Sequence, residues 1–400
     1  MISSPDEATA PLGVAGSAPV AGPLDDWLRD RREQREKAGL RRRLRPLPGG
    51  CVDLASNDYL GLSRNPLVVA AARAALEEFG TGSRASRLVT GTLGIHERLE
   101  RELCALTGQP AALAFSSGYA ANTGVLTALG DADTLIVSDA HAHASLVDGS
   151  RLSRSPVRIA RHSDVAHVAQ LLAERSEARA VVVVESVYSV WGDHAPLTEL
   201  AEVCRQGNAL LLVDEAHGIG VAGRGRGLVH ELGLAGSTHV ALTLTLSKAL
   251  GAQGGAVLGS PALREHLVNT ARPFIFDTAL APGSAAAATE AARIIGEAPE
   301  LADRLHERAR FVASTLNIPQ ARAAVQSVPM ATPEAAVRAA EELRVRGVAV
   351  GCFRPPSVPD GISRLRITAP GNMELQELSG ALETVREVLA DVSGADPVTP

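Results

Sequence analysis

The segment ALLLVDEAHG, residues 209–218, is an apolar run that ends in a carboxylate and a histidine. A second segment, VALTLTLSKALGAQGG at residues 240–255, is another apolar run, followed here by a lysine and small residues. Runs that are apolar throughout are typical of strands buried on both faces of a mainly parallel sheet. Ligands of such sheets bind beyond the carboxyl ends of the strands. The two segments therefore predict an α/β fold with Asp214, His217 and Lys248 at the ligand-binding edge of its sheet.

Other apolar runs extend this pattern along the chain. The segments CVDLAS, ALAF, TLIVSD, VRIA, AVVVVES, GVAVGCF and SRLRITA predict further strands, separated by turn residues or helical stretches. A helix is predicted from around Leu24, ERLERELCALTG predicts one that ends at Gly108, and Ala-rich helices follow Pro282. We expect a disordered tail at 1–22, an N-terminal helix and strand segment at 23–55, a large α/β domain at 56–282 that holds the ligand-binding edge, a small C-terminal α+β domain at 283–392 and a tail at 393–400.

Composition and charge narrow the class of protein. The 400 residues are 46% hydrophobic and 21% charged, as in ordinary globular proteins, and the length suits two domains. A net charge of −6 and a pI near 6.0 do not indicate a nucleic-acid partner. No apolar run reaches the roughly 20 residues of a membrane span, and no secretory signal is recognisable. The four cysteines have no disulfide-type or zinc-type spacing, so we expect a cytoplasmic protein.

Asp214 and Lys248 carry the main chemical signal, although each has an ordinary alternative. A carboxylate after a strand can simply cap the next helix, and most lysines are solvated surface residues. Lys248, however, lies between an apolar strand and small residues, where loss of water lowers the pKa of an amine and favours a Schiff-base nucleophile. Pyridoxal phosphate needs such a lysine for its aldehyde and an acidic partner for its pyridine nitrogen. The pair therefore predicts a pyridoxal-phosphate enzyme.

The phosphate of that cofactor needs hydrogen-bond donors. FSSGYAANTG, residues 115–124, follows a strand and opens a helix, so its first turn presents backbone N–H groups at a positive helix end. The predicted phosphate ligands, there and beside the lysine, are Ser117, Gly118, Tyr119, Thr245 and Ser247.

The histidines of SDAHAHASLVDG, residues 138–149, allow three interpretations. Asp139, His141 and His143 resemble a metal-ligand cluster, because an HxH pair on a strand points both rings to one face. No further Cys or His lies at metal-like spacing, so we expect no metal. A structural histidine in a polar loop is the second interpretation. The third, which we favour, is that His143 stacks on the cofactor ring.

Arginines near the C-terminus predict a carboxylate site. A Pro-rich turn follows Arg354, and the strand after it carries Arg364 and Arg366 on one face. The guanidinium fork suits two-point binding of a carboxylate, although most arginines are exposed surface residues.

These residues together resemble the α-oxoamine synthase family of pyridoxal-phosphate enzymes, over about residues 24–389. The resemblance implies the aspartate-aminotransferase-like fold, with a mainly parallel central sheet, helices on both faces and a smaller C-terminal α+β domain. The motifs that carry it, in the family's order, are SNDYLGL (56–62), SGYAAN (117–122), DAHAHAS (139–145), ESVYSVWGD (185–193), VDEAHG (213–218), LSKALG (246–251) and RPPSVPDGISRLRIT (354–368).

The resemblance implies roles for individual residues. Lys248 forms the Schiff base, Asp214 pairs with the ring nitrogen, His143 stacks on the ring, and Arg366 binds the amino-acid carboxylate. The further implied contacts are His217 and Ser189 near the phenolic oxygen, Gly118, Tyr119 and Thr245 at the phosphate, Thr278 at the phosphate of a neighbouring subunit, Arg354 and Arg41 at a distal carboxylate of the acyl group, and Asn57 at the wall of the site.

Within the family, the C-terminal RPP segment and GGAVLGS after the lysine are most similar to members that join L-alanine to a pimeloyl thioester. In that acyltransferase reaction CoA or acyl-carrier protein bears the pimeloyl group, and the products are 8-amino-7-oxononanoate and CO₂, in biotin synthesis. The resemblance also implies a homodimer with its site at the subunit interface. Alternatives are a glycine C-acetyltransferase of the same family, an aminotransferase or lyase of the same fold, and a non-catalytic protein that kept the fold.

Two departures from the family pattern concern the acyl donor and the C-terminal domain. GTGSRASRLVTG, residues 80–91, carries Arg84 and Arg87 where relatives often have Gly-rich sequence, near the expected entrance for the acyl donor. The segment between about Leu316 and Glu334 is shorter than usual, which predicts a trimmed surface loop.

Overall fold

The computed structural model describes residues 22–42, 44–355, 357–358 and 360–395, with side chains as far as residue 392. The two predicted tails lie outside the described residues, except for Gly22 and residues 393–395.

The chain divides into two compact units between Pro46 and Leu47. The first unit holds the helix predicted from around Leu24, and this helix, α1, spans Pro23–Lys37. Proline stands in its first turn, where its missing N–H costs no hydrogen bond because an N–H at that position has no acceptor within the helix. Acidic residues in the first turn and basic residues in the last complement the helix dipole.

The larger sheet of the second unit is mainly parallel, as predicted. Its strands are β2 (Ala111–Phe115), β3 (Thr134–Asp139), β4 (Val157–Ala160), β5 (Arg179–Glu185), β6 (Leu210–Asp214), β7 (Val240–Thr245) and β8 (Gly255–Gly259). They lie in the order β2-β8-β7-β6-β5-β3-β4, and β8 runs antiparallel to the other six. The sequence pattern predicted six of these strands but not β8.

A smaller sheet completes the second unit. Its strands are β1 (Val52–Leu54), β9 (Val325–Pro329), β10 (Val348–Phe353) and β11 (Arg364–Thr368), in the order β1-β10-β11-β9. Strand β1 is parallel to β10, and the other neighbours are antiparallel. A separate apolar core backs this sheet, with buried residues such as Leu365, Leu378 and Leu382. Strand β9 was not predicted.

Helices cover both faces of the larger sheet. Alternate residues of its strands accordingly enter two different apolar cores. In β6, Leu211 and Val213 face one core, and Leu212 faces the other. The helices of the second unit are α2 (Pro66–Phe79), α3 (Gly94–Thr107), α4 (Gly118–Leu129), α5 (Ala144–Leu152), α6 (Val165–Ala173), α7 (Leu197–Gln206), α8 (Leu228–Glu231), α9 (Pro261–Thr270), α10 (Arg272–Ile275), α11 (Pro282–Glu297), α12 (Glu300–Leu316), α13 (Pro333–Val345) and α14 (Leu375–Ala395).

Two predicted helix boundaries are confirmed. Helix α3 ends where Gly108 adopts the left-handed conformation with a φ of 76°. An Ala-rich helix, α11, begins at Pro282, and its alanines join a core of the larger sheet. The predicted domain boundary at 282 and 283 stays a prediction. In the part of the chain that the structure describes, no helix is both long and apolar enough to cross a membrane.

The fold predicts unequal costs for two matched truncations. Leu211 lies within β6 and is fully buried, whereas Leu375 at the start of α14 is 39% exposed. Leu211→Ala should lower the free energy of unfolding by about 2–5 kcal/mol, because it removes buried apolar contacts and leaves a cavity. Leu375→Ala should cost less than about 1 kcal/mol. Urea unfolding at one protein concentration measures both, and equal losses would contradict the assignment of the core.

Candidate active site

The carboxyl ends of the parallel strands surround a cavity of about 270 Å³. Three of its residues are register partners on neighbouring strands, namely Glu185 on β5, Asp214 on β6 and Thr243 on β7. Its lining is Ser117, Gly118, Tyr119, Asn122, His143, Ser145, Glu185, Asp214, Ala216, His217, Thr243, Leu244, Thr245, Ser247 and Lys248.

A larger cavity of about 730 Å³ lies elsewhere in the second unit. Its lining includes charged side chains such as Arg224, Asp303 and Arg310, but none of the site residues predicted from the sequence. Of the two cavities, only the smaller one brings an amine and a buried carboxylate together. We therefore take the smaller cavity as the candidate active site.

Lys248 is one of only two lysines in the sequence, and the other, Lys37, is exposed on α1. It follows β7 and lines the cavity. Burial lowers the pKa of its amine to about 8, although the negative charge of Asp214 acts in the opposite direction. An ordinary lysine titrates near about 10.4, so Lys248 is far more often in the neutral, nucleophilic form at the same pH.

His217 is buried against this lysine. Its Nε2 lies 2.9 Å from Nζ of Lys248, and its Nδ1 lies 2.7 Å from the hydroxyl of Tyr59, which donates to Oδ1 of Asn57 at 3.2 Å. These bonds are satisfied together when His217 carries a proton on Nδ1 and accepts at Nε2. Burial, aided by the charges of Lys248 and Arg366, lowers the pKa of His217 well below its usual value. The ring is therefore neutral.

Arg366 on β11 completes a continuous series of hydrogen bonds that starts at Lys248, which we call the hydrogen-bond chain. Its Nη2 donates to Oδ1 of Asn57 at 2.9 Å, and its Nη1 donates to the carbonyl oxygen of Ser189 at 3.3 Å. Its guanidinium carbon lies 4.5 Å from the ring centre of Phe353. These contacts fix the direction of the guanidinium, and the residue as a whole is only 7% exposed.

Asp214 presents hydrogen-bond acceptors to the cavity. Its Oδ2 accepts from Nδ2 of Asn122 at 2.8 Å, and its Oδ1 accepts from the backbone N–H of Ala216 at 2.8 Å. The same amide nitrogen of Asn122 donates to Oγ of Ser145 at 2.9 Å. Asn122 on α4 therefore holds the carboxylate in place, a role that the sequence did not indicate.

Glu185 is a second buried carboxyl group in the cavity, and the sequence reasoning missed it. Burial, with the negative charge of the neighbouring Asp214, raises the pKa of Glu185 well above its usual value. The group is therefore a neutral acid beside a carboxylate, because two like charges in one dry site repel. Its signal was available, since AVVVVES ends in an acidic residue as ALLLVDE does.

His143 is held by the first turn of α5. Its Nδ1 accepts from the backbone N–H of Ser145 at 3.2 Å and lies 2.7 Å from Oγ of the same residue. A nitrogen that accepts this N–H carries no proton, so the neutral ring is protonated on Nε2. Desolvation lowers the pKa of His143, in spite of the nearby Asp214. The structure places the ring in the cavity wall, and its stacking on a cofactor stays a prediction.

The start of α4 forms a cradle of small residues at one end of the cavity. Ser117 caps the helix with its side chain. A Cβ added to Gly118 would lie 3.0 Å from Cβ of Thr245, and one added to Gly255 would lie 2.5 Å from the backbone of Gly118. Thr245 Oγ1 lies 2.7 Å from Oγ of Ser247. The structure thus gathers the predicted phosphate ligands at a helix N-terminus.

Several other predicted residues lie away from the cavity lining. Ser189 contributes its carbonyl oxygen to the hydrogen-bond chain, Thr278 is exposed after α10, and Arg354 follows β10. Arg41 lies in the N-terminal unit, where its guanidinium pairs with Glu36. The roles implied for these four residues stay predictions.

The metal interpretation of the histidine motif gains no support from the geometry. The ring of His141 stacks on that of His162, and His143 is held by its own helix. Within the described ranges, no group of three His, Cys, Asp or Glu side chains is placed to hold a metal ion.

The two unusual arginines of residues 80–91 have different surroundings. Arg87 is buried, and its Nη1 lies 2.9 Å from Oε1 of Glu100. Arg84 is exposed and has a φ of 67°. Of the two, therefore, only Arg84 has an exposed side chain.

Comparison with known proteins agrees with this geometry. The family model described as aminotransferase class I and II matches residues 50–385. The chain belongs to the aminotransferase class I and II family. The aspartate-aminotransferase-like fold predicted from the sequence motifs is thereby confirmed.

Individual relatives and solved structures show which proteins of known name this chain is similar to. The 8-amino-7-oxononanoate synthase of Mycolicibacterium gilvum is 51% identical over 380 residues, which cover 94% of this chain and 99% of that protein. A solved 8-amino-7-oxononanoate synthase from Francisella tularensis has a TM-score of 0.72 and 26% identity, covering 85% of this chain and 98% of that one. A serine palmitoyltransferase from S. paucimobilis, solved with a bound PLP–myriocin aldimine, has a TM-score of 0.85 and 29% identity, covering 92% and 98%. The resemblance to the α-oxoamine synthases is confirmed.

The lowered pKa of Lys248 predicts how its amine reacts in protein freed of cofactor. Labelling of Lys248 by an amine-directed reagent should rise with pH to a plateau, with a midpoint near pH 8, because only the neutral amine reacts. Asp214→Asn should lower that midpoint, since the carboxylate favours the charged amine. Mass spectrometry of the two lysine peptides gives the extent of labelling, with exposed Lys37 as the internal control. Parallel pH profiles for both lysines would contradict the prediction.

Proposed function

We propose that this chain is a pyridoxal-phosphate acyltransferase that condenses L-alanine with a pimeloyl thioester, releasing CO₂ and the thiol carrier and forming 8-amino-7-oxononanoate. The observation that carries the proposal is the hydrogen-bond chain that links Lys248, the amine of lowered pKa, to the buried Arg366. It joins a group suited to moving a proton at an amino acid's α-carbon with a group suited to holding that amino acid's carboxylate. The names of the relatives support the choice of substrates.

The residues of the cavity fit pyridoxal phosphate. Three buried polar atoms of the lining, Oδ1 of Asn122, Oε1 of Glu185 and Oγ1 of Thr243, have no hydrogen-bond partner among the described residues. Such atoms are rare in folded proteins unless a ligand or water meets them. The residues that would hold the cofactor are Lys248 at the aldehyde, Asp214 at the ring nitrogen, His143 at the ring face, His217 and Ser189 near the phenolic oxygen, and Ser117, Gly118, Tyr119, Thr245 and Ser247 at the phosphate.

When bound, pyridoxal phosphate supplies an aldehyde that joins amines and a ring that withdraws electrons from the amino acid's α-carbon. Hydrogen bonds from Asn122 and Ala216 hold the carboxylate of Asp214 in place, where it would accept from the protonated ring nitrogen of the cofactor. Glu185, as a neutral acid, leaves Asp214 the single negative charge of the row. The negative charge needed beside the ring nitrogen would thus come from Asp214.

Lys248 is the group that moves the α-proton. With a pKa of about 8, its amine both accepts and returns a proton near neutral pH, which suits a general base that later acts as an acid. His217 keeps one ring nitrogen as an acceptor toward the lysine and is too buried to take up a charge itself. The lysine therefore remains the group that titrates.

Arg366 holds the carboxylate of the amino acid. Its guanidinium is oriented by Asn57, by the carbonyl of Ser189 and by the ring of Phe353, and its Nε has no partner among the described residues. A carboxylate clamp of this kind fixes which bond of the α-carbon is broken and excludes water from the charged pair. The carboxylate it holds is the one lost as CO₂ in the proposed reaction.

The acyl donor and the assembly complete the proposal. Arg354 is a cation proposed for the distal carboxylate of the pimeloyl group, and either CoA or acyl-carrier protein would bear that group. We propose a homodimer in which Thr278 reaches the phosphate of the neighbouring subunit. The predicted cytoplasmic location stays a prediction.

The reaction itself tests the proposal. Purified protein loaded with cofactor should convert L-alanine and pimeloyl-CoA to 8-amino-7-oxononanoate, detected by mass spectrometry, and Lys248→Ala should lower the rate by at least about 10³-fold. Absorbance near 420 nm, about the position expected of a lysine-bound cofactor, serves as the control for loading of the wild type. Product from glycine with acetyl-CoA, and none from L-alanine with pimeloyl-CoA, would sink the substrate assignment.

Two arginine variants separate the two carboxylate sites. Arg366→Gln should raise the KM for L-alanine roughly 10- to 100-fold, because it removes charge-assisted hydrogen bonds to the amino-acid carboxylate. Arg354→Gln should raise the KM for the pimeloyl thioester and leave that for L-alanine within about twofold. Arg386→Gln, on the exposed face of α14, is the matched control. The assignment fails if both site variants change the same KM.

A further inference from the structure

Beside the cavity, three neighbouring strand ends bring two carboxylates to one imidazole. Strands β4, β3 and β5 are adjacent in the sheet. His162 follows β4, Asp139 ends β3, and Asp193 belongs to residues 186–194 after β5, which we call the Ser189 loop. Nδ1 of His162 lies 2.8 Å from Oδ1 of Asp139, and its Nε2 lies 2.8 Å from Oδ2 of Asp193. We call these three side chains the His162 bridge.

The geometry of the His162 bridge requires a charged ring. A neutral imidazole has one N–H and can donate to one carboxylate only, so two donated bonds need the imidazolium form. Burial lowers the pKa of His162, but the hydrogen bonds and charges of Asp139 and Asp193 prevail and raise it to about 9. Because the folded-state pKa is raised, the bridge is intact at neutral pH and is lost as the pH rises through about 9.

Aromatic rings enclose the His162 bridge. The ring of His141 stacks on that of His162 at 3.8 Å between centroids and an angle of 17°. Burial, together with the charge of His162, lowers the pKa of His141, so one ring of the stacked pair is neutral. Tyr188 and Trp191 meet the His162 ring edge-on, at 4.5 and 5.5 Å. The ion pair is thus only partly open to solvent.

The two carboxylates of the bridge differ in how they are held. Asp139 also accepts from the backbone N–H groups of His141 at 2.7 Å and Ser163 at 2.8 Å, so it is anchored at the end of β3. Asp193 lies in the Ser189 loop, and its Oδ1 has no partner among the described residues. The bridge therefore fastens the loop to an anchored strand end.

The same loop touches β11 at two points. The carbonyl oxygen of Ser189 accepts from Nη1 of Arg366 at 3.3 Å. The guanidinium of Arg364, which pairs with Asp360, lies 5.7 Å from the ring centre of Trp191. Both arginines extend from one face of β11, as the sequence predicted, so the position of the loop and the direction of Arg366 are set together.

We propose that His162 is a positioning residue for substrate binding. Through Asp139 and Asp193 it holds the Ser189 loop where the carbonyl of Ser189 aims Arg366 at the amino-acid carboxylate. His162 does not line the cavity, so it acts through the loop and not on the reacting atoms. The inference rests on the proposed function, because the carboxylate at Arg366 is assigned there.

The charge of the bridge is measured directly by NMR of protein labelled with ¹⁵N-histidine, with His162→Gln used to assign the signals. At pH 7.5 both ring nitrogens of His162 should be protonated, and the ring should titrate with a midpoint near 9, above the ordinary value of about 6.5. Asp193→Asn should lower that midpoint, because it removes one anionic partner. A ring that is neutral at pH 7.5 overturns the proposal whatever the activity of the enzyme.

Kinetics separate positioning from a merely structural role. His162→Gln should raise the KM for L-alanine roughly 3- to 30-fold and leave kcat and the KM for the pimeloyl thioester within about twofold. His162→Arg keeps a cation that can fork between two carboxylates, so its KM should lie closer to that of the wild type. His266→Gln, an exposed histidine on α9, is the matched control.

A double variant shows whether the effect passes through Arg366. Adding His162→Gln to Arg366→Gln should raise the KM for L-alanine no further, whereas additive effects, or an unchanged KM in the single variant, overturn the proposal. A wild type that does not condense L-alanine with pimeloyl-CoA defeats the proposed function instead. The bridge is then tested by the dissociation constant of L-alanine for cofactor-loaded protein, followed by cofactor absorbance, which should rise in His162→Gln and not in the control.

Discussion

Hydrogen bonding between the parallel strands β5, β6 and β7 sets Glu185, Asp214 and Thr243 side by side, and the candidate site is built around that row. The same register, continued to the antiparallel β8, pairs Thr245 with Gly255. Only a residue without a Cβ allows the start of α4 to approach there. A change of register by one residue would turn these side chains into the apolar cores, so the sheet and the chemistry are specified together.

Because the site is buried, the protonation states of its titratable groups depend on one another. Burial, with repulsion from Asp214, favours the neutral form of Glu185, and the charge of Asp214 opposes the loss of the Lys248 proton by attraction. Burial, aided by the charges of Lys248 and Arg366, keeps His217 neutral. In water these influences would be weak, but burial strengthens each of them. The cavity therefore holds a defined pattern of charged and neutral groups before any substrate enters.

Much of this arrangement could be predicted from the sequence by one rule. Polar residues that directly follow an apolar run lie at the end of a strand and therefore at the edge of the sheet where ligands bind. The rule found Asp214, Lys248 and the turn at Ser117, and it would have found Glu185 had it been applied to every run. Asn122 and Tyr59 could not be found in this way. Their polar atoms turn inward from a helix and a turn, where no periodicity marks them, and only the folded chain brings them to Asp214 and His217.

Other features escaped prediction because they are decided by distant partners. Strands β8 and β9 are short and rich in small or polar residues, so their pairing gives them their extended form. The burial of Arg87 against Glu100 was likewise not indicated by the sequence. Contacts of this kind join residues that are separated in the sequence, and local sequence patterns do not indicate them.

The scarcity of lysine has a consequence for the chemical durability of the protein. Of 39 lysines and arginines only two are lysines, so nearly all the positive charge is carried by guanidinium groups, which stay protonated and do not attack carbonyl carbons at neutral pH. Activated acyl groups and free aldehydes modify proteins mainly at neutral amines. Such compounds would therefore meet few lysine amines on this chain, and its single buried lysine amine meets little internal competition for an incoming aldehyde.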